Sequence, residues 1–145
     1  METGDPMILE NVKIIHAPLD AAWAITQDVE NWPDWTPTVT KVTRLDDGPF
    51  HVGSAAKIYQ PGLPPAEWRV TEFRSGEGFT WETYVRGINI SATHELKAVA
   101  SGTKSTLRLR IGGFLVLLLW PLIRKSATEN LELENTGLKN RCEAA

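Results

Sequence analysis

At 145 residues the chain has the length of one ordinary domain, enough to bury roughly two-thirds of its unfolded surface in a single core. Its 42% hydrophobic and 23% charged residues exclude a disordered or collagen-like chain. Fifteen Lys plus Arg against 18 Asp plus Glu give a net charge of -3, without the basic surplus that would select nucleic acid as a partner.

The single cysteine, Cys142, can form neither an internal disulfide nor a cysteine-based metal site, which fits a reducing, cytoplasmic setting. Residues 1–7 carry Glu2 and Asp5 and no apolar run behind a positive charge. This predicts a frayed start over 1–6 and no secretory signal, within one domain spanning 1–145.

In chain order, Ile8, Val12, Ile14 and His16 share one parity and predict a first strand with that face toward the core. Pro18 is placed for a first helical turn, so a short helix should follow over 21–28 with Trp23 inward. Asn31-Trp32-Pro33-Asp34-Trp35-Thr36-Pro37 reads as a turn followed by a brief second helix or an ordered loop. Six strand-like runs come next, at 39–45, 54–59, 66–73, 79–85, 88–99 and 103–111, separated by Gly, Pro and Asp turn signals. Short links between consecutive strands predict an antiparallel meander.

The apolar run 114–123 is ten residues long and contains Pro121, against about 20 needed to span a bilayer. It reads as core. As an interfacial helix it lacks a Lys/Arg-rich face, since only Arg124 and Lys125 follow it, so membrane contact is disfavoured. A long closing helix over 124–143 is predicted from the recurrence of Ala127, Leu131, Glu134 or Asn135, Leu138 and Cys142. Pro121 should begin or kink that helix, and Gly137 weakens its last turns by about 1 kcal/mol relative to alanine.

Strand, two short helices, six strands and a long helix is an α+β order whose sheet must cover its apolar face with the terminal helix. The residues Ile14-Ile15-His16-Ala17-Pro18, the segment Asp28 through Trp32-Pro33-Asp34-Trp35 to Pro37, Trp68-Arg69-Val70-Thr71-Glu72-Phe73 and Leu138-Lys139-Asn140-Arg141 resemble the START-like helix-grip superfamily, also called SRPBCC. Within it they resemble the polyketide cyclase/dehydrase branch, nearly end to end. The resemblance implies a strongly bent antiparallel sheet of about seven strands wrapped around the C-terminal helix. It also implies a cavity between them that holds lipids, polyketides or other small hydrophobic molecules, and in hormone-binding members a gating loop at the place of 60–65. It fixes fold better than function.

Trp32, Trp35, Trp68, Trp81, Phe114 and Trp120 fall where the strand and loop pattern turns inward. Any one of them suits plain core, but together they suit a lined pocket. His94 is the one polar residue on the even, apolar face of the strand 88–99. It serves either as a core histidine satisfied by a neighbour or as the oriented contact to a ligand. It is also the sole candidate for acid–base catalysis, with Thr83 or Glu72 as second polar group, although Glu72 better suits a solvated strand end. The expected ligand-binding set is Trp35, Trp68, Trp81, Thr83, His94, Phe114 and Leu118, with no cofactor.

Arg69, Arg86, Arg108 and Arg110 read as the outer face of the sheet, paired with Glu67, Glu82 and Glu95. The three histidines lack metal-ligand spacing, and no phosphate loop or Gly-x-Ser-x-Gly elbow is present. Binding or carriage of a small hydrophobic molecule is the leading expectation. A polyketide cyclase or dehydratase, and a lipid-surface or protein interaction module, are its alternatives. Oligomeric state stays open.

Overall fold

The structure, a computed structural model, describes residues 6–144. The start expected to fray lies, apart from Pro6, outside the described residues. Strand β1 (Met7–Ile15) leads into helix α1 (Leu19–Gln27) and a 3-10 helix (Val29–Asp34). The chain then runs through β2 (Lys41–Arg44), β3 (Ala55–Tyr59), β4 (Ala66–Arg74), β5 (Gly78–Val85), β6 (Ile88–Val99) and β7 (Gly102–Gly112), and ends in α2 (Val116–Glu143).

All seven strands pair antiparallel in the order β1-β7-β6-β5-β4-β3-β2. The two short helices carry the chain from one edge of the curled sheet to the other, and α2 closes over β1 and β7. This is the helix-grip arrangement.

Strand β6 follows its sequence alternation, with Ala92, His94 and Leu96 buried on one face and Asn89 exposed on the other. Strand β1 does the reverse of what parity predicts. Ile8, Val12 and Ile14 are 52%, 46% and 38% exposed, while the odd residues, including Asn11 and Lys13, face α2. The polar groups on that face are satisfied by the helix. Lys13 Nζ lies 2.7 Å from Glu132, and the fully buried Asn135 donates from Nδ2 to Asn11 Oδ1 at 2.9 Å while its Oδ1 accepts from Ser105 Oγ at 2.8 Å. A hydrogen-bonded polar face can be buried at little cost, so apolarity was a misleading guide there.

Strand β4 carries a bulge between Val70 and Glu72. The extra residue inverts the parity beyond it. Phe73 therefore packs inward against Trp23, with ring centroids 5.5 Å apart, and Glu72 faces solvent. Of the two readings of Glu72, inward polar partner or solvated strand end, the structure has the second.

The core centres on Trp32, Phe50, Phe79 and Trp81, whose touching rings stand 5.0 to 6.4 Å apart in tilted or edge-on contacts, each worth about 0.5–1.5 kcal/mol beyond burial. Phe50 comes from the loop between β2 and β3, which gave no sequence signal. Asp46 ties that loop down by accepting from the Ala55 N–H and the Ser54 hydroxyl, both at 2.9 Å, and from Arg44 at 3.0 Å. Chiefly the Ala55 N–H holds its carboxyl below the usual range.

Helix α2 starts eight residues earlier than the periodicity predicts, at Val116. Pro121 sits in its second turn, where it deletes one backbone bond without ending the helix. Gly137 lies within the helix because the Trp35 carbonyl packs on it, and an added Cβ would stand 2.1 Å from that oxygen.

Candidate ligand cavity

Between the inner face of the sheet and the middle of α2 lies a cavity of about 360 Å³. Trp32, Trp68 and Trp81 form one wall, supplied by the 3-10 helix, β4 and β5. Ile90 and Leu107 from the sheet and Ala127 from α2 form others. Its rim includes Leu63, on the loop between β3 and β4, and Leu122 on α2, which are 58% and 73% exposed. Gln60 and Leu63 thus bring the loop 60–65, which the sequence leaves as either a gate or a plain wide hairpin loop, to the cavity edge, where the Leu63 N–H donates to the Gln60 carbonyl at 3.2 Å.

Two ionisable groups meet on the wall. His94 projects from β6 with its ring stacked on Phe79, centroids 4.8 Å apart, and 5.0 Å from the Trp32 ring. Its Nδ1 lies 3.8 Å from Oε1 of Glu134 on α2, beyond hydrogen-bond range. Neither side chain makes a hydrogen bond to another protein group among the described residues. Burial pulls the imidazole down to about 3 and pushes the Glu134 carboxyl up to about 7. Between about pH 3 and 7 both are therefore uncharged: the imidazole offers one donor and one acceptor, and the carboxyl one of each. A third polar group, the Trp68 indole N–H, is buried without a partner.

Of the residues expected to bind ligand, Trp68, Trp81 and His94 line this cavity. Trp35 stands behind Trp32, with ring centroids 5.7 Å apart, and does not reach it. Thr83 faces inward, but its hydroxyl donates to the Glu67 carbonyl at 2.8 Å and it lies outside the lining. Phe114 and Leu118 are 73% and 77% exposed and form no wall, and Trp120 is half-buried. Phe114 stands in the turn before α2 and Leu118 on the solvent side of its first turn.

Sequence reasoning missed Glu134 as a site residue. Its signal was a carboxylate on the buried stripe with Ala127, Leu131 and Leu138. Trp32, read as one of several inward aromatics, is a wall. On the outer face Arg69 pairs with Glu67 at 3.0 Å as expected, whereas Arg108 pairs with Glu10 across the β1–β7 ladder.

The fold is shared widely among solved structures. A START superfamily protein from Mycobacterium smegmatis superposes with a TM-score of 0.78 at 16% identity, over 94% of this chain and 97% of that one. Ginseng major latex-like protein 151 from Panax ginseng gives 0.78 at 12% identity, over 96% and 99%. The di-domain ARO/CYC StfQ from the steffimycin biosynthetic pathway gives 0.77 at 11% identity, over 97% of this chain but 51% of that one. At these identities the likeness establishes the fold alone. No curated protein matches the sequence significantly. The family model described as polyketide cyclase/dehydrase and lipid transport matches residues 7–143, nearly the whole chain, and the protein belongs to that family.

Proposed function

We propose that the protein binds one compact hydrophobic molecule in the cavity between sheet and α2, with an oxygen of that molecule held at the His94–Glu134 end. The observation that carries the reading is the cavity itself: mostly apolar and aromatic walls closed by two buried, unpartnered polar side chains. A volume of about 360 Å³ stands near the small end of ligand sites, which span about 300–1,000 Å³. It suits a ring system or short chain better than a two-chain phospholipid. Burial of such a molecule supplies affinity at about 25 cal/mol per Å². The polar pair selects for a hydroxyl or carbonyl, because leaving its members unpaired costs about 1–3 kcal/mol each.

Native mass spectrometry of freshly purified protein, with extraction of any bound molecule, tests the reading alongside Ala127→Trp, which fills the cavity from α2. A discrete hydrophobic adduct that disappears in the folded variant supports it. An adduct that survives the filling, or none even after titration with aromatic ketones and phenols, sinks it.

The His94–Glu134 pair also favours a second reading, acid–base chemistry on the bound molecule. The Glu134 carboxyl, titrating near 7, is poised to exchange a proton with the bound molecule near neutrality, while the His94 imidazole, held neutral down to about 3, positions it by hydrogen bonding. On that reading Glu134→Gln keeps affinity and lowers turnover by about 10² or more. Equal turnover in variant and wild type would leave binding alone.

A further inference from the structure

The first turns of α2 and the turn that leads into them expose what a soluble domain ordinarily hides. Phe114, Leu117, Leu118 and Leu122 are 73%, 71%, 77% and 73% exposed. Their spacing, with Pro121, sets them in one stripe on the solvent side of the helix. The half-buried Trp120 lies beside them, and Leu122 is also part of the cavity rim.

The charge around this stripe has one dominant sign. No acidic residue occurs from 112 to 128, and Arg124 and Lys125 follow the apolar run. Arg86 adjoins Gly87, against which the Phe114 ring packs, and Arg110 lies on β7 just before the helix. None of these four cations makes an ion pair among the described residues. Among the described residues one carboxylate, Glu82, shares a surface groove with Arg110 and Leu117.

We propose that this end of the molecule docks on an anionic lipid surface, with the apolar stripe inserted at the interface and the cavity mouth turned toward it. A second copy of the chain is the poorer occupant. A two-fold contact sets the same patch against itself, so it would bring the cationic borders together. An anionic bilayer answers both features at once, since apolar side chains enter the headgroup boundary and the cations meet its negative potential. No helix among the described residues is long and apolar enough to cross a membrane, so the contact is peripheral. The proposal stands on exposure and charge around the helix and does not depend on what the cavity holds.

Flotation with vesicles of phosphatidylcholine, with and without phosphatidylserine, tests it on the full chain. Two variants accompany the wild type: Leu117→Ser with Leu118→Ser, and Arg124→Glu with Lys125→Glu. All four residues are exposed, and circular dichroism checks that each variant keeps its fold. The expected result is binding to phosphatidylserine vesicles that weakens as salt rises and falls roughly tenfold or more in each variant. Absent binding, equal binding to both vesicle types, or binding undiminished by either variant overturns the proposal. So does a dimer in light scattering that Leu118→Ser dissociates, which would assign the stripe to a second copy.

Discussion

His94 and Glu134 show how one pair of side chains can carry opposite pH dependences. The His94 imidazole titrates near 3 in the fold against an ordinary 6.5. Its contribution to stability is therefore present above 6.5 and is lost as pH falls toward 3. The Glu134 carboxyl titrates near 7 against an ordinary 4.5, so its contribution is present below 4.5 and is lost as pH rises through 7. Between about 4.5 and 6.5 the two slopes offset each other. Urea unfolding across pH should find that Glu134→Gln, relative to wild type, uncovers a stability that rises from pH 3 to 6.5. His94→Phe should uncover one that falls from pH 4.5 to 7. The full shifts set upper bounds of about 5 kcal/mol for the His94 effect and about 3 kcal/mol for the Glu134 effect; parallel curves for all three proteins would refute the assignment. At the same scale, the Thr26 hydroxyl is buried without a partner. Thr26→Val, nearly isosteric, should raise unfolding free energy by about 1 kcal/mol.

Helix α2 consists of two halves with different tasks. From Leu131 to Cys142 its inner stripe buries Leu131, Asn135, Leu138 and Cys142, and burial pushes the thiol of Cys142 up to about 11. The first half covers the cavity and leaves its outer stripe in solvent. Gly137 joins the helix to the Trp35 segment. On helix propensity alone Gly137→Ala would gain about 1 kcal/mol. The Trp35 carbonyl, 2.1 Å from the new Cβ, reverses the sign because backbone must move, and we expect a net loss of about 2 kcal/mol in chemical denaturation. A stabilised variant would mean that the Trp35 segment does not rest on the helix as described.

At the scale of the molecule, cavity and stability are linked. A molecule that binds the folded chain alone, supplied at a hundred times its Kd, should add about 2.7 kcal/mol. Calorimetry should then record a Tm higher by roughly 5–10 °C. A ligand that leaves Tm unmoved at that concentration would not bind the folded chain in preference to the unfolded one. The same cavity explains why the sheet curls without collapsing onto α2. The aromatic cluster of Trp32, Phe50, Phe79 and Trp81 fills one end, and the His94–Glu134 pair, whose closer burial would cost desolvation, lies along the part left open.

Much of this was legible along the chain because local chemistry decides it. Strand alternation, turn residues and the 3.6-residue period placed seven strands and the closing helix, and the alternation on β6 placed His94 inside. The rest depended on partners distant in sequence. Which face of β1 is covered was decided by Asn135 and Glu132, more than a hundred residues away. The inward turn of Phe73 was decided by one unpaired residue in the β4–β5 ladder. Whether an apolar run becomes core or exposed stripe depended on how much sheet lay beneath α2. The encounter of His94 with Glu134 required the sheet and helix to close on each other. Burial and hydrogen-bond satisfaction are properties of a pair of surfaces, and a single strand's pattern states only half of each pair.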